Sequence, residues 1–422
     1  MNFSEIFAPT SEAAQARLAA VRPHDYARSR NAINGAVTRL SPYITHGLLT
    51  LPEALTRIDA RQPLEPQHKL VFELGWREYF RHVWQHQGEA IFSSLHVGLL
   101  PDAAYVSELP ADIREARTGV PAIDMAVRTL YANGYLHNHA RMWLASYCVH
   151  LRKVHWRVAA DWMYGHLLDG DLASNHLSWQ WVAATGSRKP YLFNAENVAR
   201  YAPPSWHSPN SVIDCGYETL DDIARSSRSV GHSKGSSGVN EPQLSVPTGL
   251  QSFSTAFSAG ALNDRDIWLV HPWALRAPPS DLPPGTLLLG VGLQEFHQRW
   301  GWSTARWDFV NQRMSELQAP CWLTERAHLA QALGAARSVQ TVADPHLLGL
   351  LDDVAVCRPA PHLFPKVDRL CASFSQWWTR SMRDVARLSD LPGLTTLPTV
   401  PLFVVNPVID GKGEAAREPY LS

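Results

Sequence analysis

The sequence predicts two domains in series: a helical domain at residues 1–205, then an α/β domain with a parallel sheet at 263–422. A flexible linker is expected at 206–262. Three observations carry this reading. Before residue 205 apolar residues recur with the 3.6-residue period of amphipathic helices, and no run alternates convincingly as a strand would. After residue 263 short apolar runs alternate with helical stretches, the pattern of a parallel sheet with crossover helices. Between them, Ser226-Ser227-Arg228-Ser229 and His232-Ser233-Lys234-Gly235-Ser236-Ser237-Gly238 offer too little apolar surface to offset the entropy of ordering them. A length of 422 residues accommodates this plan, at roughly 150 residues per domain.

Each element has a local cause. Ser41-Pro42 places a capping residue before a proline at the first helical position. Thr50-Leu51-Pro52-Glu53 has the spacing of a capping box. Long amphipathic stretches follow at about 66–87 and 137–153. Beyond the linker, Ile267–Val270 and Thr286–Val291 read as buried strands. Trp307–Leu317 reads as a helix, Cys321–Thr324 as a strand and Arg326–Leu333 as a helix. Ser338–Val342 and Val354–Cys357 complete a sheet of about five strands.

Composition limits the function. With 45% hydrophobic and 18% charged residues the chain is globular, not disordered. No apolar run approaches the roughly 18 residues of a membrane span, and the N-terminus lacks the basic and apolar regions of a secretion signal. No membrane partner is expected. Five cysteines, odd in number and without a CxxC pair, argue against a disulfide framework or a zinc site and for a cytoplasmic location. A net charge of −1 gives no global nucleic-acid signature, although a local patch is compatible with it. The 16 Trp are unusual, because an indole can stack on bases and lose an electron as well as fill a core.

Glu73, Trp76, Arg77 and Phe80 fall at i, i+3, i+4 and i+7, hence on one helix face. Such a face suits an aromatic-walled polar cavity, or an intrahelical Glu73–Arg77 ion pair beside a core Trp. In the next helix Asn138, Arg141, Met142 and Ala145 share one face, while Leu144, Cys148 and Leu151 form the packing face. Asp169-Gly170-Asp171 lacks the ligand spacing and closing Glu of a calcium loop, so no metal is expected. Asp169 is instead expected as the buried partner of Arg141.

These residues resemble, in order, motifs of the cryptochrome/photolyase superfamily. The motifs are Tyr26 with Thr38-Arg39-Leu40-Ser41-Pro42-Tyr43, Glu73–Tyr79, Thr118–Asp124, His137-Asn138-His139-Ala140-Arg141-Met142, and Asp169–Asn175 with Trp179-Gln180-Trp181. The resemblance covers about residues 20–195 and implies an all-α, photolyase-type FAD-binding domain. It implies that Tyr26, Thr38, Leu40 and Ser41 hold the phosphates and ribityl chain of FAD. It places Arg77, Arg141, Asp169, Asp171 and Asn175 around the flavin, with Asn175 beside its N5. Glu73, Trp76, Asn138, Met142 and Trp181 match the pocket for a flipped pyrimidine dimer, and Arg30 matches a cation near the lesion phosphate. Trp179 and Trp156 match the inner members of the indole relay that photoreduces the flavin.

Some positions depart from the pattern. His139 stands where many relatives carry arginine. No Trp occupies the place of the outermost relay member, where Tyr105 lies nearby. Tyr191-Leu192-Phe193-Asn194-Ala195 replaces an Arg-x-Phe-Asn-Pro loop. The C-terminal half resembles, more weakly, the Rossmann-like antenna domain of that family, placed after the catalytic domain instead of before it; no antenna chromophore is identified. The implied function is light-driven repair of pyrimidine dimers in single- or double-stranded DNA, with FAD as cofactor. The alternative is a blue-light photosensor that binds FAD and signals through a partner, and a third class is a non-photochemical flavin scaffold.

Overall fold

The computed structural model describes residues 7–231, 237–245 and 260–395. Its first half is helical: α1 (Ser11–Ala19), α2 (Pro23–Ser29), α3 (Ser41–Thr45), α4 (Leu51–Arg61), α5 (Lys69–Gln87), α6 (Ala111–Arg114), α7 (Pro121–Asn133), α8 (Asn138–Ser146), α9 (Trp156–His166), α10 (Leu172–Ala183), α11 (Ala195–Tyr201) and α12 (Tyr217–Arg225). A short strand β1 (Leu244–Ser245) leads into the second half. There β2 (Asp266–Val270), β3 (Leu287–Leu293), α13 (Gln294–Arg299), β4 (Trp302–Ser303), α14 (Thr304–Glu316), β5 (Cys321–Thr324), α15 (Arg326–Leu333), β6 (Ser338–Val342), β7 (Val356–Arg358), α16 (Phe374–Ser381) and α17 (Pro392–Thr395) follow.

Five strands form one sheet in the order β5-β3-β2-β6-β7, and every pairing within it is parallel. Ile267 in the central strand faces Leu287 on one side and Val339 on the other. All of β2 is buried, as expected of a parallel strand covered on both faces, which is why it reads as a continuous apolar run. The separate β1–β4 pair is antiparallel, with Leu244 opposite Ser303.

The core does not divide at the expected domain boundary. One apolar cluster, built on α7–α11, contains Trp143, Tyr147, Trp156 and Trp179. The other runs without a break from α1, α4 and α5 into the whole α/β half, uniting Leu55 and Val71 with Leu269 and Trp377. The two halves therefore share a core.

Several expectations need correction. The segment 206–262 is not free chain where it is described: it holds α12 and β1. Buried Lys153 donates to Ile223 O (2.7 Å) and Ala224 O (2.9 Å), holding carbonyls at the end of α12. Glu241 pairs with Arg114 (2.7 Å). Residues 232–236 and 246–259 of that segment lie outside the described residues.

The stretch 137–153 is not one helix either; α8 ends at Ser146 and a π-helical turn, Tyr147–Leu151, replaces its continuation. Thr50 caps α4 by accepting from Glu53 N (3.2 Å), but the Glu53 carboxylate turns to Gln15 (2.9 Å) and leaves the box half made. Ser41 does not cap its helix, because its hydroxyl is committed elsewhere. Among the described residues no helix is long and apolar enough to cross a membrane.

Candidate functional site

The loop from Leu168 to Leu172, between α9 and α10, carries two aspartates and gathers side chains from across the chain. Asp169 accepts from Arg141 Nη2 at both oxygens (2.9 and 2.8 Å) and from Ser41 Oγ (2.6 Å). Thr45 Oγ1 donates to Asp169 O (3.1 Å) and accepts in turn from Arg77. Residues from α3 and α8 thus meet on one carboxylate, and Arg77 of α5 reaches the same residue through Thr45. Arg141 is fixed from behind by donating Nε to Leu136 O (2.7 Å).

Asp171 caps α10 by accepting from Ser174 N (2.9 Å) and pairs with Arg81 (3.2 Å). Arg81 also pairs with Asp344 of the α/β half (3.2 Å). Burial would raise the Asp171 carboxyl, but the charges of Arg81 and Arg77 outweigh it and hold the group far below the usual carboxylate range. Asp344 is held down in the same way, by Arg81 and His346 against burial.

The α/β half grips the same loop. Arg306 donates Nη2 to Gly170 O (2.7 Å). His346 accepts from Leu172 N at Nε2 (3.2 Å), so its Nδ1 proton goes to Asp344 (2.5 Å), which fixes the tautomer. His46 stands between Leu168 O (2.9 Å) and Pro272 O (2.6 Å), one carbonyl from each half. Burial, helped by the charge of Arg306, brings its pKa down to about 3.

This donor set fits a flavin nucleotide. Hydroxyls, guanidinium groups and paired carboxylates are the groups that hold phosphates and balance charge at the ring. Arg77, Arg81 and Tyr26 are walled in by protein, yet each keeps accessible surface, 26% for the Arg81 side chain.

The remaining sequence-predicted residues distribute as follows. Leu40 is buried at the start of α3, and Thr38 Oγ1 accepts from Leu40 N (3.5 Å). Asn175 is buried, and its amide donates to Ala160 O (2.9 Å). Glu73 pairs with Arg30 (3.3 Å), not with Arg77, whose donor goes to Thr45. Tyr26 lies beside both Glu73 and Arg30, and burial pushes its hydroxyl pKa up. Trp76 is stacked on Phe374 of α16, with ring centroids 4.1 Å apart and planes 12° from parallel. Asn138 is exposed and donates to Met142 Sδ (3.5 Å). Trp181 is 41% exposed, 5.8 Å from the ring of Tyr191. Trp179 and Trp156 are buried, and Trp156 Nε1 donates to Ser94 (3.0 Å). Tyr105 reaches Trp156 only through the ring of His155, 6.3 Å and then 5.9 Å away. His139 packs between Trp143 and Tyr201.

The structure therefore joins Ser41, Arg77, Arg141 and Asp169 into one cluster, with Asp171 beside it. Sequence reasoning missed Arg81, although it lies four residues after Arg77 on the same helix face. It also missed His46, Arg306, Asp344, His346 and Phe374. Nothing local signals the last four, because their partners lie far away in the chain.

Residues 70–204 match the family described as the FAD binding domain of DNA photolyase. The deoxyribodipyrimidine photo-lyase of Escherichia coli K12 is 34% identical over 182 residues, covering 40% of this chain and 38% of that protein. Cryptochrome DASH of Idiomarina loihiensis is 30% identical over 208 residues, covering 47% and 46%. Among solved structures, a cryptochrome of Synechocystis sp. PCC6803 aligns with a TM-score of 0.41 at 30% identity, over 45% of this chain and 43% of that one. The chain spans less than half the length of these relatives. Over residues 70–204 the chain is similar to the FAD-binding domain of the cryptochrome/photolyase superfamily.

Proposed function

We propose that the protein holds FAD noncovalently beside Asp169 and uses light to repair pyrimidine dimers in DNA. The observation that carries repair is the contrast between two neighbours on α10. Trp179 is buried toward the interior, while Trp181 keeps 41% of its surface open. An open indole can stack on a base turned out of its helix.

When bound and reduced, FAD supplies on illumination an electron that splits the cyclobutane ring and then returns. The chain's own residues do the rest. Arg141 and Asp169 would fix a neutralised charge beside the ring, and Arg77 and Ser41 would orient the cofactor. Glu73, held by Arg30, would accept hydrogen bonds from the lesion edge. Trp179 and Trp156 would relay electrons to oxidised cofactor.

The deciding experiment is illumination of the reduced holoprotein with dimer-containing DNA, single- and double-stranded. Restored bases support repair; no restoration in either form rejects it. Trp179→Phe should bind FAD normally but lose photoreduction of the oxidised cofactor, and unchanged photoreduction would assign the donor elsewhere. One observation favours the alternative reading as a photosensor signalling through a partner. Phe374 already covers one face of Trp76, an indole the repair reading needs for the lesion.

A further inference from the structure

Arg306 is fully buried, and no ion pair joins it to a carboxylate among the described residues. It is the third residue of α14, which begins where β4 is pinned to β1, and that start directs it at the helical half. Its guanidinium lies over the ring of Trp302 (3.9 Å) and faces Tyr164 (5.0 Å). Nη2 holds Gly170 O, whereas Nε and Nη1 make no hydrogen bond of good geometry.

The fit at Gly170 is close. A methyl group there would meet Arg306 Nη1 at 2.6 Å and Tyr164 O at 2.9 Å, so only glycine admits the guanidinium. The flanking carboxylates of Asp169 and Asp171 act on Arg306 electrostatically but are engaged by Arg141, Ser41 and Arg81. A methionine of similar length would pack on Trp302 without the cost of desolvating a charge. A cation kept here, with donors to spare, suits a site that receives negative charge.

We propose that Arg306 is a positioning residue of the flavin site: through the Gly170 carbonyl it sets Asp169 and Asp171, and its charge favours the negatively charged reduced cofactor. This rests on the flavin reading of the loop. The test compares the full-length wild type, Arg306→Met and Arg306→Lys, each incubated with FAD, by cofactor retained, visible spectrum and midpoint potential. Folded Arg306→Met should bind FAD about tenfold or more weakly and be reduced only at a more negative potential, with Arg306→Lys recovering most of the potential. Arg306→Met that folds and matches the wild type in affinity, spectrum and potential overturns the proposal and leaves the flavin reading standing. Wild type that takes up no FAD overturns the flavin reading and this proposal with it. Should Arg306→Met fail to fold, Gly170→Ala decides, since its methyl displaces the guanidinium while the charge remains. It should weaken FAD retention and alter the flavin spectrum; wild-type retention and spectrum would reject the positioning role.

Discussion

At the scale of single residues, Asp169 does the most joining. Its carboxylate holds Arg141 and Ser41, and its carbonyl holds Thr45. Asp169→Asn keeps the shape but leaves the Arg141 guanidinium without a charge partner. Removing one member of a fully buried pair costs about 3–5 kcal/mol. The Arg141 side chain is 25% exposed, so water recovers part of that, and about 2 kcal/mol is the expected loss. Denaturant titration of the apo protein measures it directly. A midpoint equal to the wild type would show that the pair is there for the cofactor and not for the fold.

At the scale of elements, the docking of α16 onto α5 is the contact that most constrains function. Phe374 packs on Phe72 (4.5 Å) and Trp76 (4.1 Å), and Trp378 reaches Phe72 (5.1 Å). A methyl group on Gly75 would meet Trp378 at 2.8 Å, so that glycine is the seat of the helix. Phe374→Ala should cost about 3 kcal/mol, the lower end for a buried aromatic, because the site is near the surface of the core. It should also free one face of Trp76. If α16 competes with the lesion, dimer-containing DNA then binds more tightly; weaker binding would mean that Phe374 helps to form the pocket. How much of this was legible depended on whether the cause was local. The parallel sheet was readable because β2, covered on both faces, is apolar from Ile267 to Val270. The Arg141–Asp169 pair was readable because Asp169-Gly170-Asp171 lacks the spacing of a calcium loop, which leaves the carboxylate in need of a cation. The hold of Lys153 on α12 was not, since it joins carbonyls that are 70 residues away and carry no sequence signal. The turn to a π-helix at Tyr147 was hidden for a related reason: the apolar period continues through it.

At the scale of the whole molecule, buried histidines set the response to acid. Burial brings His46 and His297 down to about 3, and His82, His137 and His150 down to about 4. An unfolded histidine titrates near 6.5, so below that pH the unfolded chain binds protons that the folded chain refuses. Stability from these groups is complete above about pH 6.5 and is lost as pH falls toward 4. At pH 5 each contributes roughly 2 kcal/mol of loss, and together they rival the roughly 5–15 kcal/mol that holds a typical domain. Asp171 and Asp344 act in the same direction, at lower pH. Glu78 opposes them: burial raises its carboxyl to about 7, so it favours the folded state in acid and loses that advantage between about 4.5 and 7. One carboxyl does not offset the histidines. The denaturant midpoint should therefore fall steeply from pH 7 to pH 5, and a flat profile would mean that these rings are solvated in solution.

The clasp on the Leu168–Leu172 loop has a consequence in time. Leu172 leaves the ribosome 174 residues ahead of His346, its partner from the α/β half. At roughly 5–20 residues per second, translation leaves that side of the loop uncovered for about 9–35 s. During that interval the part of the helical half with its own core, α7–α11, can fold with the loop uncovered, and the later half then closes over whatever is bound. Cofactor loading would thus belong to synthesis, and the mature protein would be a poor recipient. A completed apo chain should accordingly take up FAD far more slowly than one refolded in its presence, whereas equal uptake would mean that the clasp opens freely.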